Sequence, residues 1–168
     1  MTIQEFEKIF NLYYNSLFRY CLKFVRNSVH AEEIVQEQYI ALWENRYKLP
    51  SIDNIESYLK ISIRNRSINY LQSKFQKINY TEVKENHLQP NIENPLNMLE
   101  AKELQDAINK ALDSLPDRCY TVYSLKRFES YTNKEIGEKL NISEKTVENY
   151  TTIAFGIIRD HVRKYFGK

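Results

Sequence analysis

The stretch that decides the fold is Tyr131-Thr-Asn-Lys-Glu-Ile-Gly-Glu-Lys-Leu-Asn-Ile-Ser-Glu-Lys-Thr-Val-Glu-Asn-Tyr150. Ile136 and Leu140 are one helical turn apart and predict the inward face of a short helix, Asn133 to Leu140. Gly137 falls where a second helix must approach closely, so a small residue is needed there. Asn141 occupies the tight turn, where a left-handed backbone is required and Asn tolerates it better than most residues. Ile142 plugs the core. Ser143 caps a long helix running to about Tyr165, and Val147 packs back against Ile136. The glycine, turn, cap and core positions together spell a helix-turn-helix. Its second helix has a polar outer face of Glu144, Lys145, Glu148, Asn149 and Thr152, suited to a major groove. With Ser143 and Thr146 at the helix start, these are the expected base-reading residues. Arg127, Lys134 and Lys139 are placed to meet phosphate, which positions a helix without reading sequence.

Working upstream, Leu96 to Leu115 reads as one amphipathic helix, and Pro116 fits the first turn of the next, which continues through Val122, Tyr123, Leu125 and Phe128. The segment from Asn79 to Pro95 is polar, contains Pro90 and Pro95, and keeps no apolar period. It predicts a flexible linker, and a loop of that length argues for a domain boundary. Before it lie three helical patterns. Ile3 to Val25 opens with a Thr2/Glu5 capping box, His30 to Arg46 follows a break at Asn27 and Ser28, and a third runs from a cap at Asp53 or Asn54 through Phe75. Leu49-Pro50-Ser51 is a loop. The fold class is therefore all-α: two small helical bundles, residues 1–78 and 96–168, joined by a flexible linker at 79–95.

Composition agrees. Of 168 residues 42% are hydrophobic, enough for real cores, while 3 Gly and 4 Pro argue against turn-rich sandwiches and barrels. A net charge of +2 supplies no global field toward nucleic acid, so DNA binding must rest on local charge. Cys21 and Cys119 stand alone and read as buried, reduced and inert, with no metal ligand set. His30, His87 and His161 are scattered, and neither a nucleophile motif nor a glycine-rich phosphate loop is present, so no catalytic activity and no cofactor are expected. Met1 to Phe10 carries Glu5, Glu7 and Lys8 and is not a signal peptide. No apolar run approaches the roughly 20 residues of a membrane span, and a cytoplasmic protein without membrane insertion is expected.

Two features mark the N-terminal half. The helix His30-Ala-Glu-Glu-Ile-Val-Gln-Glu-Gln-Tyr-Ile-Ala-Leu-Trp-Glu44 exposes Glu32, Glu33, Gln36 and Glu37, either a solvated face or a docking surface for a partner helix. Between Glu56 and Glu82 stand Lys60, Arg64, Arg66, Lys74 and Lys77 with no acidic residue among them. Asn65, Asn69, Tyr58, Tyr70, Phe75 and Tyr80 are interleaved. Cations beside aromatics suit single-stranded DNA, where base–ring stacking is worth ~1–3 kcal/mol per base. For any single ring, the core is nevertheless the more usual role.

Together these segments resemble the extracytoplasmic-function group of sigma-70 family RNA polymerase sigma factors, and Lys145-Thr-Val-Glu-Asn149 is similar to members from Bacteroidetes. The resemblance covers nearly the whole chain. Ala31-Glu-Glu-Ile-Val-Gln-Glu37 with Leu42-Trp43 looks like the helix that binds the clamp helices of the polymerase β′ subunit, which implies Glu33, Ile34, Gln36 and Glu37 as docking residues. Tyr58-Leu-Lys-Ile-Ser-Ile-Arg-Asn-Arg-Ser-Ile-Asn-Tyr-Leu71 resembles the helix that melts and reads the −10 element, implying Lys60, Arg64, Asn65, Arg66, Asn69 and Lys74. In that family the loop at about Tyr47 to Ile55 captures a flipped base. Leu115-Pro-Asp-Arg-Cys119, Phe128-Glu and the motif from Lys134 to Tyr150 resemble the domain that reads the −35 element and docks on the β flap. Promoter DNA, core polymerase and an anti-sigma factor are the implied partners. Asn69 stands where Asp is usual and Gln72 where Arg is frequent, and Ile153 and Gly156 replace frequent basic residues. The target sequence therefore does not transfer.

One rival reading uses the same residues. LuxR-type regulators also carry a Lys-Glu-Ile…Ile-Ser-Glu-Lys-Thr-Val-Glu pattern, but with a receiver or ligand domain upstream, and the helical N-terminal half lacks a receiver's alternating strands.

Overall fold

A computed structural model describes residues 1–47, 54–77 and 99–166, with side chains left out at 99–103 and 165–166. Seven helices and no strand are found among them, as the all-α reading requires. They are α1 (Ile3–Val25), α2 (Ser28–Glu44), α3 (Ile55–Lys77), α4 (Leu99–Asp113), α5 (Asp117–Glu129), α6 (Asn133–Leu140) and α7 (Glu144–Phe166). The chain divides into two compact units, Met1–Lys74 and Phe75–Lys168. The expected linker, 79–95, and most of the loop at 47–55 lie outside the described residues.

Local chemistry sets the helix ends. Thr2 and Glu5 form the expected box: the Glu5 N–H donates to Thr2 Oγ1 at 3.3 Å and the Thr2 N–H to Glu5 Oε2 at 2.7 Å. α2 starts two residues before the expected His30, because Asn27 Oδ1 accepts from the His30 N–H at 3.0 Å and caps it there. It stops at Glu44, where Asn45 Nδ2 donates to the Ala41 carbonyl at 2.8 Å. Asn54 is the cap of α3, accepting from Ser57 N–H at 2.9 Å. Pro116 corrects the sequence reading by one position. It precedes α5 instead of filling its first turn, and its carbonyl accepts the bond from Tyr120 N–H at 2.9 Å. With no N–H to offer, proline costs nothing at that place.

The first unit buries Leu17, Cys21, Phe24, Ala31, Val35, Leu42, Leu59 and Ile63 on the facing stripes of α1, α2 and α3. An aromatic rim closes its edge, with Phe6 packed edge-on against Trp43 at 5.3 Å and Phe10 against Tyr39 at 4.9 Å. In the second unit α4, α5 and α6 all pack on α7, around Leu115, Cys119, Tyr120 and Ala154. Burial of such side chains at ~1.5–3 kcal/mol each is the main term opposing chain entropy. Both cysteines are buried and unbridged.

Candidate nucleic-acid interface and docking face

The helix-turn-helix follows its sequence grammar closely. Thr132 and Glu135 cap α6 reciprocally, and the Glu135 carboxyl is held below the usual carboxylate range by the backbone N–H and hydroxyl of Thr132. Asn141 takes the left-handed conformation at φ 56°, and both its own N–H and that of Ile142 point to the Gly137 carbonyl, Ile142 at 3.0 Å. Ile136, Leu140 and Val147 are buried, while Ile142 is only half-buried and plugs the turn less deeply than expected. Ser143 caps α7, its Oγ accepting from Thr146 N–H at 3.1 Å and lying 2.8 Å from Thr146 Oγ1. Those two hydroxyls are therefore engaged with each other and with the helix end. Glu144, Lys145, Glu148, Asn149 and Thr152 are all exposed, as are Arg127 and Lys134. A shallow dish at the turn is lined by Lys134, Gly137, Glu138, Asn141, Ser143 and Glu144.

In the first unit the four expected docking residues separate. Glu33, Gln36 and Glu37 are exposed on α2. Glu33 Oε2 lies 2.9 Å from His30 Nδ1, and Gln36 Nε2 donates to Glu32 Oε1 at 3.3 Å. Ile34 is buried instead, because it falls on the stripe with Ala31, Val35, Gln38 and Leu42 that faces the core. Val29 and Ile40 were missed: they are 61% and 58% exposed. Their spacing gives them away, since Val29, Glu33, Gln36, Glu37 and Ile40 fall on one stripe of a 3.6-residue helix. Exposed apolar groups among carboxylates are what a docking face offers and a purely solvated one does not need.

On α3, Lys60, Asn65 and Asn69 are exposed, and Arg64 and Lys74 half-buried. Lys60 pairs with Glu56 one turn before it. Arg66, half-buried, is engaged with α2: its Nη1 donates to Glu37 Oε2 at 3.0 Å and its Nε to Gln38 Oε1 at 3.1 Å. Tyr58 and Tyr70 are half-buried and pack against the first core, Phe75 is buried, and Tyr80 lies outside the described residues. Tyr47 is 78% exposed at the start of the expected base-capturing loop, with the Arg46 guanidinium 4.5 Å from its centroid.

Among the described residues no three His, Cys, Asp or Glu side chains gather as a metal site would need, and no helix is long and apolar enough to cross a membrane.

Comparison with known proteins gives a consistent picture. A family model described as Sigma-70 region 2 matches residues 9–75, and one described as Sigma-70, region 4, matches residues 105–153. No curated protein matches. Among solved structures the chain is similar to that of the sigma factor RpoE in complex with the anti-sigma factor NepR from Bartonella quintana, at 13% identity and a TM-score of 0.47 over 98% of each chain.

Proposed function

Since the chain belongs to the sigma-70 family, with its region 2 and region 4 in order over well more than half the sequence, we propose that it works as a sigma factor of the extracytoplasmic-function type. It binds core RNA polymerase and directs promoter-specific initiation, and the chemistry of transcription belongs to the polymerase. The observation that carries the type is the spacing of the two matches. Region 2 ends at residue 75 and region 4 begins at residue 105, which leaves no room for the middle domain of housekeeping sigma factors.

The division of labour follows from the faces described above. A region 2 domain at 1–78 docks through Glu33, Gln36, Glu37 and their apolar neighbours on the clamp helices, and holds melted −10 DNA along Lys60, Arg64, Asn65, Asn69 and Lys74. A region 4 domain at 96–168 reads duplex −35 DNA through the exposed face of α7, with Arg127 and Lys134 on phosphates, and meets the β flap. The segment at 79–95 tethers the two. Fixing both domains on one polymerase raises each one's effective concentration at the promoter, so neither needs high affinity alone. An anti-sigma factor that covers the docking face, the DNA face or both is part of this reading. The Lys145-Thr-Val-Glu-Asn149 segment supports a Bacteroidetes lineage.

The test is run-off transcription with sigma-free bacterial core polymerase on a pool of genomic promoter fragments. Protein-dependent transcripts with defined starts, lost on charge reversal at Glu33 and Glu37, are the expected result. Specific DNA binding by the protein alone, with no binding to core and no transcripts, would hand the case to a stand-alone regulator.

A further inference from the structure

We propose that Arg66 is a positioning residue of the polymerase-docking face, holding the Glu37 carboxylate in place from α3, and that it is not a contact to the DNA backbone. The inference rests on the reading of α2 as the docking helix and adds a residue to it from another helix.

The geometry is a fork closed on two acceptors. Arg66 Nη1 meets Glu37 Oε2 at 3.0 Å, and Arg66 Nε meets Gln38 Oε1 at 3.1 Å, across 29 and 28 residues of sequence. Guanidinium is planar and presents its donors in a fixed arrangement, so two acceptors from adjacent residues define its orientation. The two acceptors differ in what they do. Glu37 is 64% exposed, a surface carboxylate, while Gln38 is 2% exposed. The Gln38 Nε2 is itself buried with no hydrogen-bond partner among the described residues. If Arg66 turned outward to a phosphate, the Gln38 amide would be buried with both ends unmade, the expensive arrangement for a polar group. The buried amide therefore keeps Arg66 on α2.

What Arg66 does there concerns binding. The Glu37 side chain has several rotatable bonds and, alone, would have to be ordered when a partner docks. Tying Oε2 to Arg66 orders it in advance and leaves Oε1 to accept from a donor on core polymerase, a Lys or Arg side chain or a backbone N–H. A surface carboxylate paired by one oxygen is a fixed acceptor. Lysine, a point charge on a flexible stem, satisfies a phosphate equally well but cannot reproduce the two-pronged hold.

That difference makes the test. Full-length wild type, Arg66→Lys, Arg66→Ala, Glu37→Gln and the double variant of Arg66→Lys with Glu37→Gln are titrated against core polymerase by fluorescence anisotropy. Each saturated holoenzyme is then titrated with a fork-junction promoter DNA over a salt series. Arg66→Lys is expected to weaken core binding roughly tenfold, the scale of one charge-assisted hydrogen bond. The double variant should bind core no worse than Glu37→Gln alone, and DNA affinity and salt slope of the saturated holoenzyme should not change. A merely structural role would lower the melting temperature of Arg66→Lys and leave its loss additive with that of Glu37→Gln, and additivity overturns the proposal. So does undiminished core binding by Arg66→Lys, or an Arg66→Ala holoenzyme with weaker DNA binding and a shallower salt slope, the mark of a phosphate contact. Charge reversal at Glu33 and Glu37 that leaves core binding intact would instead refute the docking face itself.

Discussion

A Cβ atom placed on Gly137 would lie 2.8 Å from the carbonyl oxygen of Ile142, closer than real Cβ contacts come. The obstacle is backbone, so it cannot swing aside. Alanine there gains about 1 kcal/mol of helix propensity but forces α6 and α7 apart, and overpacking of this kind costs about 1–3 kcal/mol. Gly137→Ala is expected to destabilise the second unit by up to about 2 kcal/mol net and lower its melting midpoint by up to several degrees. The chain's one tryptophan, Trp43, lies in the first unit. Its fluorescence transition should stay put while part of the far-ultraviolet circular dichroism transition moves down.

The capping box of α6 makes a pH prediction. Glu135 is held below its ordinary pKa mainly by the Thr132 backbone N–H. A depressed carboxyl contributes stability that is present above its unfolded pKa and lost as pH falls through the folded one. Urea midpoints of wild type are therefore expected to decline from about pH 5 downward, and Glu135→Gln should lose part of that acid slope. Glu5 is lowered in the same way, by the Thr2 backbone N–H, so Glu5→Gln should act likewise on the first unit. An unchanged slope in both variants would mean that the boxes do not survive in solution.

Thiol chemistry gives a third. Burial raises the pKa of both Cys21 and Cys119, with the hydrogen bond between Cys21 Sγ and Ser67 Oγ partly opposing the rise at Cys21. The thiolate is the nucleophile, so both should resist iodoacetamide at neutral pH in the native protein and react fully in guanidinium. Mass spectrometry counts the adducts, and fast native labelling at either position would contradict its burial.

A fourth concerns the recognition face. Glu144 and Glu148 are exposed beside Lys145, so α7 brings carboxylates as well as a cation toward phosphates. The isolated protein is expected to bind duplex DNA weakly and with little salt dependence. Glu148→Gln should strengthen non-specific binding several-fold, and Lys134→Ala should weaken it, both measurable by filter binding at two salt concentrations.

Legibility in the sequence followed the range of the interaction. Thr2 with Glu5, Asn54, Gly137, Asn141 and Ser143 all act on backbone within a few residues, and each was readable from type and spacing alone. Ile34 was readable too, since its position on the apolar stripe with Ala31 and Leu42 placed it inside. Tyr58 and Tyr70 stand among cations, yet a periodic aromatic on a helix goes first to the core, and both pack against it. Arg66 was beyond reach: its partners stand 28 and 29 residues away, and only tertiary packing brings an arginine of α3 to a glutamine and a glutamate of α2.

The pairing of Ser143 with Thr146 has a consequence for promoter choice. Two short hydroxyls at the start of α7 share one hydrogen bond, and Ser143 Oγ also accepts from the helix end, so only one O–H hydrogen of the pair is left to donate elsewhere. On the proposed reading of α7, the rest of the face that would meet the bases is mostly a set of long side chains, Glu144, Lys145 and Glu148, with Asn149 and Thr152 short. Long side chains give up more rotamer freedom when they settle, but they also reach several alternative partners. Such a reader discriminates softly. Its targets should form a graded series of related sequences, ranked by small differences, in which neighbouring promoters fire at different strengths from one and the same factor.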